Sequence, residues 1–225
     1  MTEAAVAAMI NHTFLRPAGE ADAVVRLCEE VRRFKFACAM VNPCEVKHAV
    51  ALLDGSGARV GTVVDFPLGQ GGLGLKLQGA VCAVREGARD IDYVIDIRKL
   101  KAAAADTSAR TELADDLLQM NAHAKGCANG VVTKLIIECC YLSDDEKVLA
   151  CTLARQAGFD FVKTSTGFGP GGATAADVKL MRETVGPDMG VKAAGGIHNR
   201  EEALAMIEAG ATRIGASSGI AIVSE

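Results

Sequence analysis

The sequence predicts a single (β/α)8 TIM barrel with a short N-terminal helix, and three observations carry that prediction. Segments that alternate like strands and segments with helical spacing follow one another about eight times in 225 residues, close to the length such a barrel needs. The phrases Glu86-Gly87-Ala88, Gln156-Ala157-Gly158 and Glu208-Ala209-Gly210-Ala211 each put a glycine between a helix and the next strand, where a left-handed residue stops the helix. Hydrophobic residues make up 50% of the chain and charged residues 23%, with no Pro/Ser-rich linker or shift in composition. Residues 1–225 therefore read as one domain with one large core. An open doubly wound sheet is the alternative, but the first strand–helix junction has no G-x-G-x-x-G.

In chain order, a helical lead-in over Glu3 to Met9 precedes a strand over Ile10 to Leu15, ended by Pro17 and Gly19. From Glu20 to Arg33 the apolar positions Ala23, Val24, Leu27 and Val31 recur at helical spacing, and Phe34 to Val41 reads as the second strand. Asn42 is expected to cap a helix over Pro43 to Leu53, proline suiting the first turn. Strand Arg59 to Phe66, loop Pro67 to Gly74, helix Leu75 to Glu86 and strand Asp90 to Ile97 follow. A long helix from about Ser108 to Lys125 leads to strand Val131 to Cys139. Ser143-Asp144-Asp145-Glu146 is a capping-box start for a helix to Ala157. A strand over Phe159 to Thr166, a helix capped by Thr174 and running to Val185, and strand Gly190 to Ala194 come next. Asn199 caps a helix to Ala209, and Thr212 to Ala216 is the last strand.

A formal charge of −4 with acids and bases interspersed argues against nucleic acid or an anionic membrane as partner. No apolar run is long enough to span a bilayer and no basic region precedes a cleavable apolar stretch, so a cytoplasmic location is expected. Eight scattered cysteines without a C-x-x-C pair read as small buried hydrophobes in a reducing compartment. The four histidines are equally dispersed, and no metal-ligand spacing appears. The oligomeric state is not legible, a homodimer being one option.

The stretch Phe161 to Thr174, FVKTSTGFGPGGAT, places a lysine in an apolar, β-branched run and follows it with a glycine-rich turn. Lys163 thus stands at the C-terminal end of a strand, the rim where catalytic groups of such barrels collect. Strand parity decides which way it points, because one face of every strand meets the helices and must be apolar. Ile91, Tyr93 and Ile95 form the helix-facing set of the fourth strand, turning Asp90, Asp92, Val94 and Asp96 inward. The same reasoning turns in Lys134, Ile136 and Glu138, then Phe161, Lys163 and Ser165, then Lys192 and Ala194. Buried charges need partners, and Lys134 with Glu138 reads as a structural ion pair. Lys163 and Lys192 lie on neighbouring strands about 4.8 Å apart, so their ammonium groups crowd. Two like charges in a desolvated site favour the loss of one proton, and a lysine tuned to a pKa of about 7–8 is a usable amine nucleophile. That is what Schiff-base chemistry requires.

Three clusters follow the last three strands: Gly167 with Gly169, Gly195-Gly196, and Gly215 with Ser217-Ser218. Bare amides and hydroxyls there, completed by a helix N-terminus after Ser217, make an anion cup at the end of the barrel that often binds phosphate. The expected substrate is a small phosphorylated carbonyl compound.

With these residues assembled, the chain from Ile10 onward resembles the 2-deoxyribose-5-phosphate aldolases, class I aldolases of the (β/α)8 type. The resemblance rests on INHTFLRP, MVNP, DFPLG, DIDYVI, KLIIE, VKTSTGFGPGGAT, VKAAGGI and RIGASSG. It implies that Lys163 forms the Schiff base, that Lys192 is the neighbouring cation lowering its pKa, and that Asp92 joins in proton transfer. Thr166, Gly167, Gly195, Gly196, Gly215, Ser217 and Ser218 would bind the substrate and its phosphate. The implied reaction is reversible cleavage of 2-deoxyribose 5-phosphate to glyceraldehyde 3-phosphate and acetaldehyde in nucleoside catabolism, with no metal or organic cofactor. Asn11 stands where the family commonly has aspartate, Met40 where cysteine is frequent, and Cys139 where threonine is common. The chain ends at Glu225 without the tyrosine-terminated tail many members carry. These departures bear on rate and substrate preference more than on reaction type. A transaldolase-like enzyme, or a barrel that binds sugar phosphate without turning it over, are the alternatives.

Overall fold

A computed structural model describes residues 1–224; the Glu225 end of the chain lies outside the described residues. Eight parallel strands close into a barrel in sequence order, β1 pairing with β8, as the alternation predicts. They are β1 (Ile10–Phe14), β2 (Cys38–Val41), β3 (Arg59–Val64), β4 (Asp90–Val94), β5 (Val132–Ile136), β6 (Phe161–Lys163), β7 (Gly190–Ala194) and β8 (Arg213–Ala216). The helices are α1 (Glu3–Ala7), α2 (Ala23–Phe34), α3 (Val46–Leu52), α4 (Gly72–Arg85), α5 (Ile97–Ala105), α6 (Thr107–Cys127), α7 (Asp144–Gln156), α8 (Ala175–Val185), α9 (Arg200–Glu208) and α10 (Gly219–Val223). No described helix is long and apolar enough to cross a membrane.

Most of the punctuation signals hold, Asn42 being the exception among the expected side-chain caps. Ser143 and Glu146 form the reciprocal capping box of α7, while Thr174 and Asn199 accept the expected bonds at α8 and α9. Gly87, Gly158 and Gly210 all have positive φ at the helix-to-strand turns.

Strands β5 and β6 end earlier than expected, at Ile136 and Lys163, and four further boundaries differ in ways that bear on the fold. The second strand begins at Cys38 rather than Phe34, because α2 continues through Phe34 and is stopped by Lys35 in the left-handed region. Asn42 makes no side-chain cap, and Pro43–Glu45 is a 3-10 turn before α3. Strand β4 ends at Val94, and Asp96, expected to point inward, accepts bonds from the Arg98 and Lys99 amides as the cap of α5. That helix was not anticipated. Asp106 ends it and caps α6, so a helix pair stands where one helix was expected.

Parity places the core as the strand patterns require. Ile91, Tyr93, Leu135, Val162 and Val191 are buried against the helices, and the Tyr93 hydroxyl donates to the Met120 carbonyl of α6. The inward floor is polar: the Phe161 ring lies beneath the Lys134 ammonium at 5.6 Å and the Arg213 guanidinium at 5.7 Å. Gly190 makes room for that ring, since a Cβ there would run into it.

Candidate active site

Lys163 ends β6 in register with Lys192 on β7, so the two amines are neighbours, as their strand positions imply. Both point inward and are buried. Asp92, in register with Lys134 across β4 and β5, receives both: Lys163 Nζ donates to its Oδ2 at 3.0 Å and Lys192 Nζ at 2.8 Å. Lys134 Nζ lies 3.2 Å from Asp92 Oδ1 and donates to Asp90 Oδ2 at 2.5 Å. Arg59 Nε in turn donates to Asp90 Oδ1 at 2.5 Å. The expected Lys134–Glu138 pair is therefore absent, because the carboxylates of β4 sit directly across the ladder from Lys134 and Glu138 does not.

Four cationic side chains, Arg59, Lys134, Lys163 and Lys192, thus face two carboxylates, Asp90 and Asp92. Burial pushes the Lys192 ammonium down to about 7. Asp92 pulls the other way, while Lys163 and Lys134 add to the fall. Burial works to raise Asp92, but the charges of Lys134, Lys192 and Lys163 together hold it well below the usual carboxylate range. Burial also works against the Lys134 charge, yet Asp92 and Asp90 leave its pKa raised. The cluster thus keeps Asp92 ionised and Lys134 protonated, with one loosely held proton near neutral pH at Lys192.

Above Lys163 opens a cavity of about 390 Å³, lined by Thr166, Gly167, Gly195, Gly196, Gly215 and Ser217 on one side. Lys163 is the member of the charge cluster that reaches it. Lys192 and Asp92 lie beneath its floor; a Cβ on Gly215 would come 2.9 Å from Lys192 Cε. The amides of Gly167, Gly195, Gly196 and Ser217 donate to no partner among the described residues. Their N–H groups are free for an anion. Ser218 does not line the cavity: it stands at the start of α10, a helix of five residues, without a side-chain capping bond.

The sequence reading missed several cavity residues. Phe14 ends β1 and Leu15 and Arg16 follow it on the rim, and Phe168, Ile197 and His198 follow β6 and β7. The rule that barrel chemistry gathers just past the strand ends would have flagged Arg16. Glu138 was expected to face inward to Lys134; its carboxylate instead accepts from the Thr166 amide and hydroxyl, which the sequence pattern did not show. Of the departures noted in the sequence, Asn11 is fully buried and neither amide atom finds a partner among the described residues. Met40 is buried with its sulfur 3.8 Å from the Cys38 thiol, which burial pushes up. Cys139 packs its sulfur 3.8 Å from that of Met181, away from the cavity.

A family model described as DeoC/LacD family aldolase matches residues 9–225. The deoxyribose-phosphate aldolase of Caldanaerobacter subterraneus subsp. tengcongensis is 48% identical over 220 residues, covering 98% of this chain and 93% of that one. The deoxyribose-phosphate aldolase of Enterococcus faecalis is 50% identical over 216 residues, covering 96% and 94%. Among solved structures, the deoxyribose phosphate aldolase of Aeropyrum pernix, described as a tetramer, superposes with a TM-score of 0.89 at 30% identity. The match covers 99% of this chain and 91% of that one.

Proposed function

The chain belongs to the DeoC/LacD aldolase family, and from that premise we propose that it cleaves 2-deoxy-D-ribose 5-phosphate reversibly to D-glyceraldehyde 3-phosphate and acetaldehyde. One observation carries the reading: a buried lysine that opens into a cavity walled by unbonded amides, with a second lysine and an ionised aspartate directly beneath it.

In this reading the neutral amine of Lys163 adds to the C1 aldehyde, and loss of water gives an iminium. Removal of the 3-hydroxyl proton lets the C2–C3 bond break. Its electron pair moves into the iminium to form an enamine, and C3 leaves as the aldehyde of glyceraldehyde 3-phosphate. Protonation of the enamine at C2 and hydrolysis release acetaldehyde and free Lys163. Each step moves a proton. Lys192, with a pKa of about 7, is matched to that task near neutral pH, and Asp92 touches both amines. We assign Lys192 and Asp92 to proton transfer, with Asp92 also holding the two amines together.

The phosphate is assigned to the wall of Thr166, Gly167, Gly195, Gly196, Gly215 and Ser217, with Ser218 at the start of α10 behind it. Free amides make short, charge-assisted bonds to phosphate oxygens without bringing a bulky side chain into the cavity. Arg16 is the arginine on the cavity lining. Catalytic domain and barrel coincide in this proposal, and a cytoplasmic location is proposed with them, no described helix being long and apolar enough to cross a membrane. The test is a coupled retro-aldol assay. Turnover of 2-deoxyribose 5-phosphate well above that of other phosphorylated sugars is expected; turnover confined to a different phospho-sugar would overturn the substrate assignment.

A further inference from the structure

We propose that Glu138 is a positioning residue for the phosphate wall, fixing the turn that presents the Gly167 amide to the ligand. The inference rests on the reading of that wall as the phosphate subsite.

Glu138 lies just past β5, where strand pairing slips by one residue. The Ile137 amide donates to the Lys163 carbonyl and the Cys139 amide to the Thr164 carbonyl. Two residues separate the donors on one strand, but only one separates the acceptors on the other. Glu138 is the surplus residue, a bulge, with φ 56° and ψ 66° in the left-handed region that glutamate rarely adopts. A bulge beside an active site re-aims a side chain, and here it carries the carboxylate off the inward row and under the loop after β6. Non-glycine residues held in this conformation need surrounding structure that over-determines them.

The determinants are in the loop. Both carboxylate oxygens accept from the Thr166 amide, at 3.1 and 3.3 Å, and one also accepts the Thr166 hydroxyl proton. The Thr166 hydroxyl oxygen accepts in turn from the Phe168 amide at 3.0 Å. Bonds thus close on both sides of Gly167, whose own amide donates to nothing among the described residues. Gly167 has φ 85°, and a Cβ built on it would meet open space. Gly169 then packs down on the carboxylate, its would-be Cβ 3.4 Å from Glu138 Cδ.

Glu138 is buried, yet it forms no ion pair among the described residues. Its carboxylate accepts chiefly from the donors of the Thr166 corner, with the Cys140 thiol 4.0 Å from Oε1, and bonds to an ionised acceptor are the stronger kind. A carboxylate aimed at an anion would repel it. This one lies behind the wall and takes up the donors of Thr166, which leaves the Gly167 N–H the group free to face the ligand.

The experiment compares wild type, Glu138→Gln and Glu138→Ala on 2-deoxyribose 5-phosphate and on unphosphorylated 2-deoxyribose, with inhibition by inorganic phosphate measured alongside. Loss of a charged hydrogen-bond anchor corresponds to about tenfold or more. Glu138→Ala should raise KM for the phosphorylated sugar and Ki for phosphate by about that factor, with kcat/KM on deoxyribose within about twofold. Glu138→Gln, which keeps an acceptor, should recover most of the loss. If the alanine variant does not fold, the glutamine variant alone must still show a smaller rise of KM and Ki in parallel. Equal losses on both sugars, or unchanged phosphate inhibition in a folded variant, would overturn the inference. A wild type that neither prefers the phosphorylated sugar nor is inhibited by phosphate would overturn the phosphate subsite itself, a result separable from the other two.

Discussion

Replacing Asp92 with asparagine keeps the shape of the side chain and removes its charge. The wild-type carboxylate is fully buried, 3.0 Å from Lys163, 2.8 Å from Lys192 and 3.2 Å from Lys134. Lys134 retains Asp90, so the loss falls on Lys163 and Lys192, which have no other carboxylate within 4 Å among the described residues. Removing one partner of a buried ion pair costs about 3–5 kcal/mol when the remaining charge stays. Part of that is escaped, because an amine with a pKa of about 7 sheds its proton at pH 7 for less than about 1 kcal/mol. A destabilisation of about 3 kcal/mol at pH 7 is expected, a fall in Tm of about 6–12 °C for a chain of this size. The sign of the pH dependence follows from proton counts. Asp92 raises the Lys192 pKa, so its removal takes that pKa further down; near pH 7 the folded variant then binds fewer protons than folded wild type, and its stability rises more steeply with pH there. The deficit should therefore shrink between pH 7 and 9. The stabilisation that wild-type Asp92 provides is present above its unfolded pKa of about 3.9 and lost as pH falls through its lower folded value. Thermal unfolding at pH 7 and 9, paired with the retro-aldol rate, is the assay, with kcat/KM down by about 10²–10⁴. A folded Asp92→Asn enzyme that melts within a degree of wild type at pH 7, or whose deficit grows with pH, would show that Asp92 does not hold the two amines in this way.

Two further outcomes follow from the same geometry. In the free enzyme kcat/KM should rise with pH as one proton leaves Lys192 near pH 7 and then level, with no acid limb from Asp92 above pH 4; a profile flat from pH 5 to 8 would count against Lys192 as the titrating group. Gly215→Ala would place a methyl 2.9 Å from Lys192 Cε, so activity should fall about tenfold or more with only a modest loss of Tm, and unchanged activity would mean that the Lys192 position is not critical.

The barrel was legible because its evidence is redundant. Gly87, Gly158 and Gly210 mark three turns of one kind, and the apolar parity of Ile91, Leu135, Val162 and Val191 fixes which side chains point inward. The same parity brought Lys163, Lys192 and Asp92 together, because strand order turns neighbours in sequence pattern into neighbours in space. Parity fails where the ladder breaks. The bulge at Glu138 re-aimed a side chain that alternation had turned toward Lys134, and no local residue pattern announces a left-handed glutamate. Asp96 was lost for a related reason: β4 ended three residues early, and the next acid became a helix cap rather than an inward group. Which carboxylate Lys134 would choose depended on the stagger between β4 and β5, which composition does not carry.

In the proposed reaction the amine of Lys163 carries the covalent step. Borohydride reduction in the presence of acetaldehyde, followed by peptide mass mapping, should add one reduced two-carbon unit at Lys163, and Lys163→Leu should lose both the adduct and retro-aldol turnover while remaining folded. An adduct mapped to Lys192 or Lys134 instead, or a folded Lys163→Leu enzyme that still turns over substrate at the wild-type rate, would contradict it.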